Sequence, residues 1–164
     1  MDSLKVTMTC NYWLMKTEPN TFSIYDLEKA KNQISCWEGV RNYQARNFMR
    51  DKMKIGDKVF IYHSVVDPVG IVGTAKVVKE AYPDHFQFDP TSKYFDAKSD
   101  KEKPRWVMVD VQLEEIFPRT IPLKTLKACP ELSNMALVQK GSRLSIQPLK
   151  EEEWDFICNM IKQI

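Results

Sequence analysis

Residues 105–117 read RWVMVDVQLEEIF, the clearest two-residue alternation in the chain. A period of two places successive side chains on opposite faces of a β-strand. The polar face carries Asp110, Gln112 and Glu114, and the apolar face carries Val107, Val109, Val111 and Leu113. The pattern predicts a strand over 105–117 whose valines are buried.

Further strands are predicted on both sides of this segment. Upstream lie Tyr12–Lys16, 58–64, where Val59 and Ile61 alternate with Phe60 and Tyr62, and 70–82, with a bulge or bend at Gly73. Downstream, residues 143–148 form a last short strand. The stretch 83–104 is polar and rich in turn residues, and a loop of this length inside a compact domain is often functional.

Helices are predicted between and after the strands. Ser23 with Asp26 resembles a capping box, and it precedes an apolar stripe made of Ile24, Leu27, Ala30 and Ile34. A second helix begins near Asn42. Residues 122–129 predict a short helix, and 150–161 a closing helix with Trp154 on its buried face. We expect Trp154 to pack against the sheet.

No regular β-α alternation occurs, which argues against a doubly wound parallel sheet. The order of elements favours the α+β class, as a small, mostly antiparallel β-barrel with peripheral helices. The chain has 164 residues, and we expect a single domain over 1–164 with its core at about 11–162.

Composition excludes several classes of protein. The net charge of +2 is too small to indicate nucleic-acid binding by itself, so any basic surface must be local. The four cysteines form no C-x-x-C pair, which argues against a zinc site. We expect neither a signal peptide nor a membrane span. We therefore expect a cytoplasmic protein, or a nuclear one in a eukaryote.

The segment 36–47, CWEGVRNYQARN, has the strongest functional pattern. It places an aromatic ring and a glycine turn at a helix N-terminus, whose free N–H groups favour anions such as phosphate. Trp37 either stacks on a base or belongs to the core, and Arg41 and Arg46 either bind phosphate or are solvated. Lys16-Thr17-Glu18 forms a weaker candidate at a strand end.

Other combinations of reactive residues have no supporting context. His63 and Ser64 are adjacent on a strand and point to opposite faces, there is no G-x-S-x-G motif, and Cys36 has no evident partner. We therefore predict no catalytic residue. The loop residues Asp84, His85, Asp89, Asp96 and Asp100 match no metal motif and are interpreted as solvated. No nucleotide-binding glycine motif occurs, so no cofactor is predicted.

Several blocks of sequence resemble the EVE domain family. YWLMKTEP (12–19) is similar to its opening Y-W-L-x-K-[ST]-E-P, and WEGVRNYQARN (37–47) to its W-x-G-V-R-N-Y-Q-A-R-N signature. Shorter matches are YHS (62–64), GIVG (70–73), KPRW (103–106) and GSRLS (141–145). The resemblance implies a PUA-like barrel related to the YTH and ASCH domains, and a module that recognises modified bases in nucleic acid.

The resemblance also implies site residues. Those matching the base pocket are Lys16, Thr17, Glu18, Trp37, Asn42, Tyr43, Ser64, Arg105 and Trp106, with Phe88 or Tyr94 as a second aromatic wall. Apart from the resemblance, we assign phosphate contacts to Arg41, Arg46 and Arg50, which lie just before or within the predicted second helix. Many family members carry Asn-Cys after the His-Ser pair, whereas this chain has Val65-Val66.

Three functions stay open at this point. The first is a binding module for nucleic acid carrying a modified base. The second is an ASCH-like enzyme acting on a modified nucleoside, with Lys16, Thr17 and Glu18 as its reactive groups. The third is a protein-binding domain that uses the fold as a scaffold. Neither the base, the choice between DNA and RNA, nor the oligomeric state follows from the sequence.

Overall fold

A six-stranded sheet organises the chain in the computed structural model, which describes residues 10–163. The strands are β1 Tyr12–Thr17, β2 Ile34–Cys36, β3 Lys58–His63, β4 Gly70–Pro83, β5 Val107–Pro122 and β6 Ile146–Leu149. The α-helices are α1 Ile24–Lys29, α2 Tyr43–Asp51, α3 Leu123–Lys127 and α4 Glu151–Lys162. Short 3₁₀ turns occupy Lys31–Gln33, His85–Phe88, Pro130–Leu132 and Ala136–Val138.

The sheet is mostly antiparallel and open. Its order is β2-β5-β4-β3-β1-β6, and only β1 and β3 run parallel. The α+β class and the antiparallel character are confirmed. The closed barrel is not confirmed, because the two edge strands, β2 and β6, are short and do not pair with each other.

Strand β3 is buried on both faces. Val59 and Ile61 belong to the cluster covered by α1 and α2, whereas Phe60 and Tyr62 belong to the cluster covered by α3 and α4. The alternation predicted for this strand therefore separates two cores. Trp154 of α4 stacks on Phe60 with ring centroids 3.9 Å apart, which confirms its predicted place against the sheet.

The longest strand, β5, extends five residues beyond its predicted end at Phe117, because it pairs with β4 as far as Pro122. Val109 and Val111 are fully buried as predicted, while Val107 is only partly buried at the start of the strand. The pairing with β4 is irregular next to Gly73, where a Cβ would lie 2.2 Å from the Glu115 carbonyl oxygen. Of the predicted bulge or bend, the irregular pairing confirms a bulge-like irregularity at Gly73.

The first helix is shorter than its apolar stripe predicted. The Ser23–Asp26 capping box is present, and Ile24 and Leu27 are buried, but the helix ends at Lys29. The backbone becomes extended at the C-cap residue Ala30, with φ −66° and ψ 153°, and this ends the helix before Asn32 and Gln33 adopt a φ of 57°. The prediction that Ile34 belongs to the helical stripe is therefore wrong, since this residue begins β2.

Because β1 and β3 are parallel, their C-terminal ends lie side by side at the same end of the sheet. The chain leaves β1 at Thr17 and β3 at His63 there, and the Ser64 N–H donates to the Thr17 carbonyl at 2.9 Å. The segment that follows β2, residues 37–42, lies next to the end of β1. Residues 84–106 pack on that segment.

Candidate functional site

A cavity of about 290 Å³ lies beside the end of β1. This volume is near the lower end of the range for small-molecule sites, roughly 300–1,000 Å³, and suits one planar ring system. The lining residues come from four parts of the chain that are distant in sequence. They are Lys16, Thr17, Glu18, Thr21 and Phe22; Cys36, Trp37, Glu38, Gly39, Val40, Arg41 and Asn42; Lys93 and Tyr94; and Ser145.

Trp37 forms a wall of the cavity and is also part of the core. Its side chain is 7% exposed, and its ring meets Phe22 edge to face with centroids 6.1 Å apart. Within residues 10–163, the indole N–H of Trp37 has no hydrogen-bond acceptor, and it is not fully buried. The two sequence-based interpretations of Trp37, a core residue and a stacking surface, are therefore compatible.

Gly39 brings the second aromatic wall close to the turn. Its φ of +85° favours glycine, and an added Cβ would lie 2.5 Å from the Tyr94 ring. A side chain at position 39 would thus push Tyr94 away from the cavity. The Lys93 ammonium lies 5.1 Å from the centroid of the same ring, at the rim.

Asp84 connects the turn to the long segment 84–106. Its side chain is fully buried, and Oδ2 accepts hydrogen bonds from the Gly39 N–H at 2.9 Å and the Arg41 guanidinium at 3.0 Å. Oδ1 accepts the Phe86 N–H at 2.9 Å. The interpretation of Asp84 as a solvated loop acid is wrong, because these three donors replace its hydration.

Arg41 also fastens this segment. Its Nε and Nη2 donate to the Tyr94 carbonyl at 3.2 and 2.8 Å, and Nη1 donates to the Val40 carbonyl as well as to Asp84. A guanidinium has five N–H donors, so these four bonds leave one for a ligand. Arg41 therefore holds Tyr94 at the cavity and has little remaining capacity for phosphate.

A second buried group, Gln87, fixes the rest of the segment. Its amide nitrogen donates to the carbonyls of Asp84 and Trp106 at 2.7 and 2.8 Å, and its oxygen accepts the Trp106 N–H at 3.1 Å. The Trp106 indole N–H donates to Asp96 at 2.7 Å. These side-chain hydrogen bonds hold the segment 84–106 in one conformation, although it contains little regular secondary structure.

The sequence matches the EVE domain over residues 11–160. This chain belongs to the EVE domain family. The match confirms the family resemblance on which the site prediction rests.

Solved and curated relatives of this EVE domain are similar over nearly its whole length. Mouse thymocyte nuclear protein 1 is 47% identical over 92% of the chain and 73% of the relative. A crystal structure of a Pseudomonas syringae protein is 47% identical, with a TM-score of 0.87 over 92% of this chain and 99% of that one. Human THYN1 protein, solved in complex with 5-methylcytosine-containing DNA, is 45% identical, with a TM-score of 0.87 over 93% and 98%.

The EVE domain cavity contains five of the ten residues assigned to the base pocket, together with Arg41 from the phosphate set. The five are Lys16, Thr17, Glu18, Trp37 and Asn42. Tyr94 lines the cavity, whereas the alternative, Phe88, lies in the His85–Phe88 turn and does not. Sequence reasoning missed Glu38 and Lys93, although Glu38 lies inside the matched 37–47 block.

Two of the remaining pocket candidates form a stack outside the cavity. Tyr43 is 51% exposed and stacks on buried Trp106 with centroids 4.8 Å apart. The Arg46 guanidinium lies 4.7 Å from the Tyr43 ring centroid and donates to the Arg105 carbonyl at 3.0 Å. Arg46 and Trp106 thus join α2 to the start of β5.

Ser64 and Arg50 lie outside the cavity, whereas Asn42 both lines it and caps a helix. Ser64 is at the end of β3, where its hydroxyl is 3.4 Å from the Thr17 carbonyl oxygen, and it does not line the cavity. Arg50 is exposed and forms an ion pair with its neighbour Asp51 at 2.8 Å. Asn42 lines the cavity while its side-chain oxygen caps α2 by accepting the Ala45 N–H at 3.0 Å.

His63 and Cys36 have surroundings that do not favour nucleophilic chemistry. The His63 Nε2 accepts the Ile24 N–H at 3.0 Å at the start of α1, so the ring serves as a neutral acceptor. Burial, together with the neighbouring Glu38 carboxylate, raises the pKa of the Cys36 thiol to about 12, which disfavours the reactive thiolate. Both residues are more consistent with structure than with catalysis.

His63 predicts a pH-dependent stability. Burial lowers the pKa of His63 below 6.5, although nearby Asp26 opposes this shift. As the pH falls through 6.5, the imidazole of the unfolded chain is protonated while that of the folded chain stays neutral. Acidification therefore lowers the free energy of unfolding. We expect the free energy of unfolding to fall more between pH 7.5 and 5.5 in the wild type than in His63→Gln. The free energies are measured by urea denaturation at both pH values, and an equal decrease in the two proteins would contradict this.

Neither a metal-binding cluster nor a membrane-spanning helix occurs in the described part of the chain. No group of three or more His, Cys, Asp or Glu side chains within residues 10–163 is placed to hold a metal ion. None of the helices in that range is long and apolar enough to cross a bilayer.

Proposed function

We propose that this EVE domain recognises DNA by holding one modified base, 5-methylcytosine, in the cavity beside Trp37. The observation that carries the proposal is a single-ring-sized cavity with aromatic side chains from two segments, Trp37 and Tyr94. The 5-methylcytosine-containing DNA bound to the human relative supports the choice of ligand.

The cavity has both kinds of hydrogen-bonding group that a cytosine edge requires. Cytosine presents an amino donor at N4, which carboxylates commonly accept. Glu38 is partly buried at the cavity, and one of its oxygens already accepts the Cys36 thiol at 3.2 Å. Donors for the acceptor atoms of the base are the Trp37 indole N–H and the Lys16 ammonium. These groups would distinguish cytosine from thymine, whose O4 is an acceptor.

Lys16 is a base-facing donor in this proposal. Burial lowers the pKa of its ammonium, and the nitrogen lies 5.5 Å from the Tyr62 ring centroid. Lys93, which is exposed and also lines the cavity, supplies a phosphate contact. Extruding a base costs a few kcal/mol, which stacking on Trp37, the base-edge hydrogen bonds and phosphate contacts must offset.

Titration against matched duplexes tests the proposal. One duplex carries a single central 5-methylcytosine and the other carries cytosine, and both are measured at two salt concentrations. Burial of one methyl group contributes roughly 0.8 kcal/mol, so we expect at least an approximately fourfold preference for the methylated duplex at either salt concentration. Equal affinities would overturn the choice of ligand, and a preference for the same mark in RNA would overturn the choice of DNA.

A further inference from the structure

The connection between β3 and β4 presents two unpartnered apolar side chains. Val65 is 70% exposed and Val66 is 43% exposed. Val65 also has a φ of +53°, a conformation that β-branched residues rarely adopt. Strained, exposed residues of this kind occur disproportionately where a ligand is contacted.

This tip is continuous with the edge of the cavity. Residue 65 directly follows Ser64, whose backbone N–H is bonded to the Thr17 carbonyl at 2.9 Å. Thr17 lines the cavity, whose charged lining residues are Lys16, Arg41 and Lys93 together with Glu18 and Glu38. A DNA strand whose base enters the cavity would therefore pass close to residues 65 and 66.

The chemistry of the tip matches the base stack better than the phosphate backbone. Its one charged side chain is the carboxylate of Asp67, which phosphate would repel. A base that leaves a duplex creates a gap in the stack, and minor-groove proteins show that apolar side chains can insert between base steps.

We propose that Val65 and Val66 are a wedge that enters duplex DNA in the space left by the extruded base. The inference rests on the proposed function of the cavity. It adds a separate surface that contributes to affinity only when the DNA is double-stranded. A single strand has no paired stack in which the extruded base leaves a space.

The test compares Val65→Asn/Val66→Ser with the wild type on the methylated duplex and on the same methylated strand alone. We expect about a tenfold loss of affinity for the duplex, from the lost burial of two valine side chains, and less than about a twofold change for the single strand. Asparagine accepts a positive φ better than valine, so we expect the melting temperature not to fall. This separates loss of the wedge from loss of the fold.

Ile55→Ser is the matched control. Ile55 is 61% exposed and precedes β3, whereas Val65 follows it, so a six-residue strand, about 20 Å long, separates them. We expect this variant to bind both DNAs like the wild type. An equal loss with Ile55→Ser would overturn the wedge by showing a general effect of surface hydrophobicity.

Three further results would overturn the proposal. The wedge alone fails if the wild type prefers methylated DNA but the double variant keeps full duplex affinity or loses affinity equally on both DNAs. The proposed function fails, and the wedge with it, if the wild type shows no preference for the mark on either DNA. Dimerisation of the wild type that the double variant abolishes would instead identify the tip as a contact between copies of the chain.

Discussion

Asp84→Ala is expected to destabilise this EVE domain by about 3 kcal/mol, the lower end of the range for breaking a buried ion pair. The carboxylate is fully buried, and its loss leaves the Gly39 and Phe86 N–H groups without their acceptor. The estimate is at the lower end because the Arg41 side chain is 23% exposed and can recover some hydration. Weaker DNA binding should accompany the loss, since Arg41 no longer holds Tyr94.

Urea denaturation of the wild type and Asp84→Ala measures this effect. Asp51→Ala is the matched control, because Asp51 also pairs with an arginine, Arg50, but both side chains are 47% exposed. Exposed pairs contribute little, so the control should unfold like the wild type. If both variants lost the same stability, the burial of Asp84 would not explain its importance.

Trp37→Ala is expected to have two separate effects. Removing a buried tryptophan side chain costs roughly 3–5 kcal/mol of folding stability, because Trp37 packs in the core with Phe22. Losing the stacking surface costs roughly 1–3 kcal/mol of binding to methylated DNA and most of the discrimination between marked and unmarked strands. Trp37→Phe should keep most of the stability and part of the stacking.

Binding of these variants is to be measured where circular dichroism shows that each is folded. Arg50→Ala is the comparison for affinity without specificity, because Arg50 is exposed and does not line the cavity. We expect it to weaken binding to marked and unmarked strands equally and to lower the salt slope by about one unit or less. A Trp37→Ala protein that retains the marked-to-unmarked ratio would place the base elsewhere.

Local patterns predicted the elements of the fold but wrongly favoured a closed barrel, whereas the sheet is open. Alternation in 105–117 and the Ser23–Asp26 cap depend on neighbours within a few residues, and both predictions are confirmed. The end of α1 depends instead on the extended backbone of Ala30, although alanine is a residue type that favours helix. Whether edge strands meet depends on strand length and twist across the sheet, which no local pattern encodes.

The same distinction applies to the site. Trp37, Gly39 and Asn42 belong to a contiguous block that the sequence alone marks as unusual, and the structure places all three at the cavity. Asp84 was missed because its partners, Gly39 and Arg41, are 45 and 43 residues away in the chain. A single acid in a polar segment has the same local pattern whether it is solvated or paired.

The attachment of residues 84–106 has a dynamic consequence. Side chains of Asp84, Gln87 and Trp106 fasten this segment, and the one isolated β-bridge inside it, Asp100 with Lys103, is local. The segment can therefore open without unpairing β3, and its amide hydrogens should exchange with solvent through this low-energy opening, whereas those of β3 await global unfolding. A base held against Tyr94 would slow exchange in the segment by opposing its local opening. Exchange of the β3 amides would still require unfolding of the whole domain.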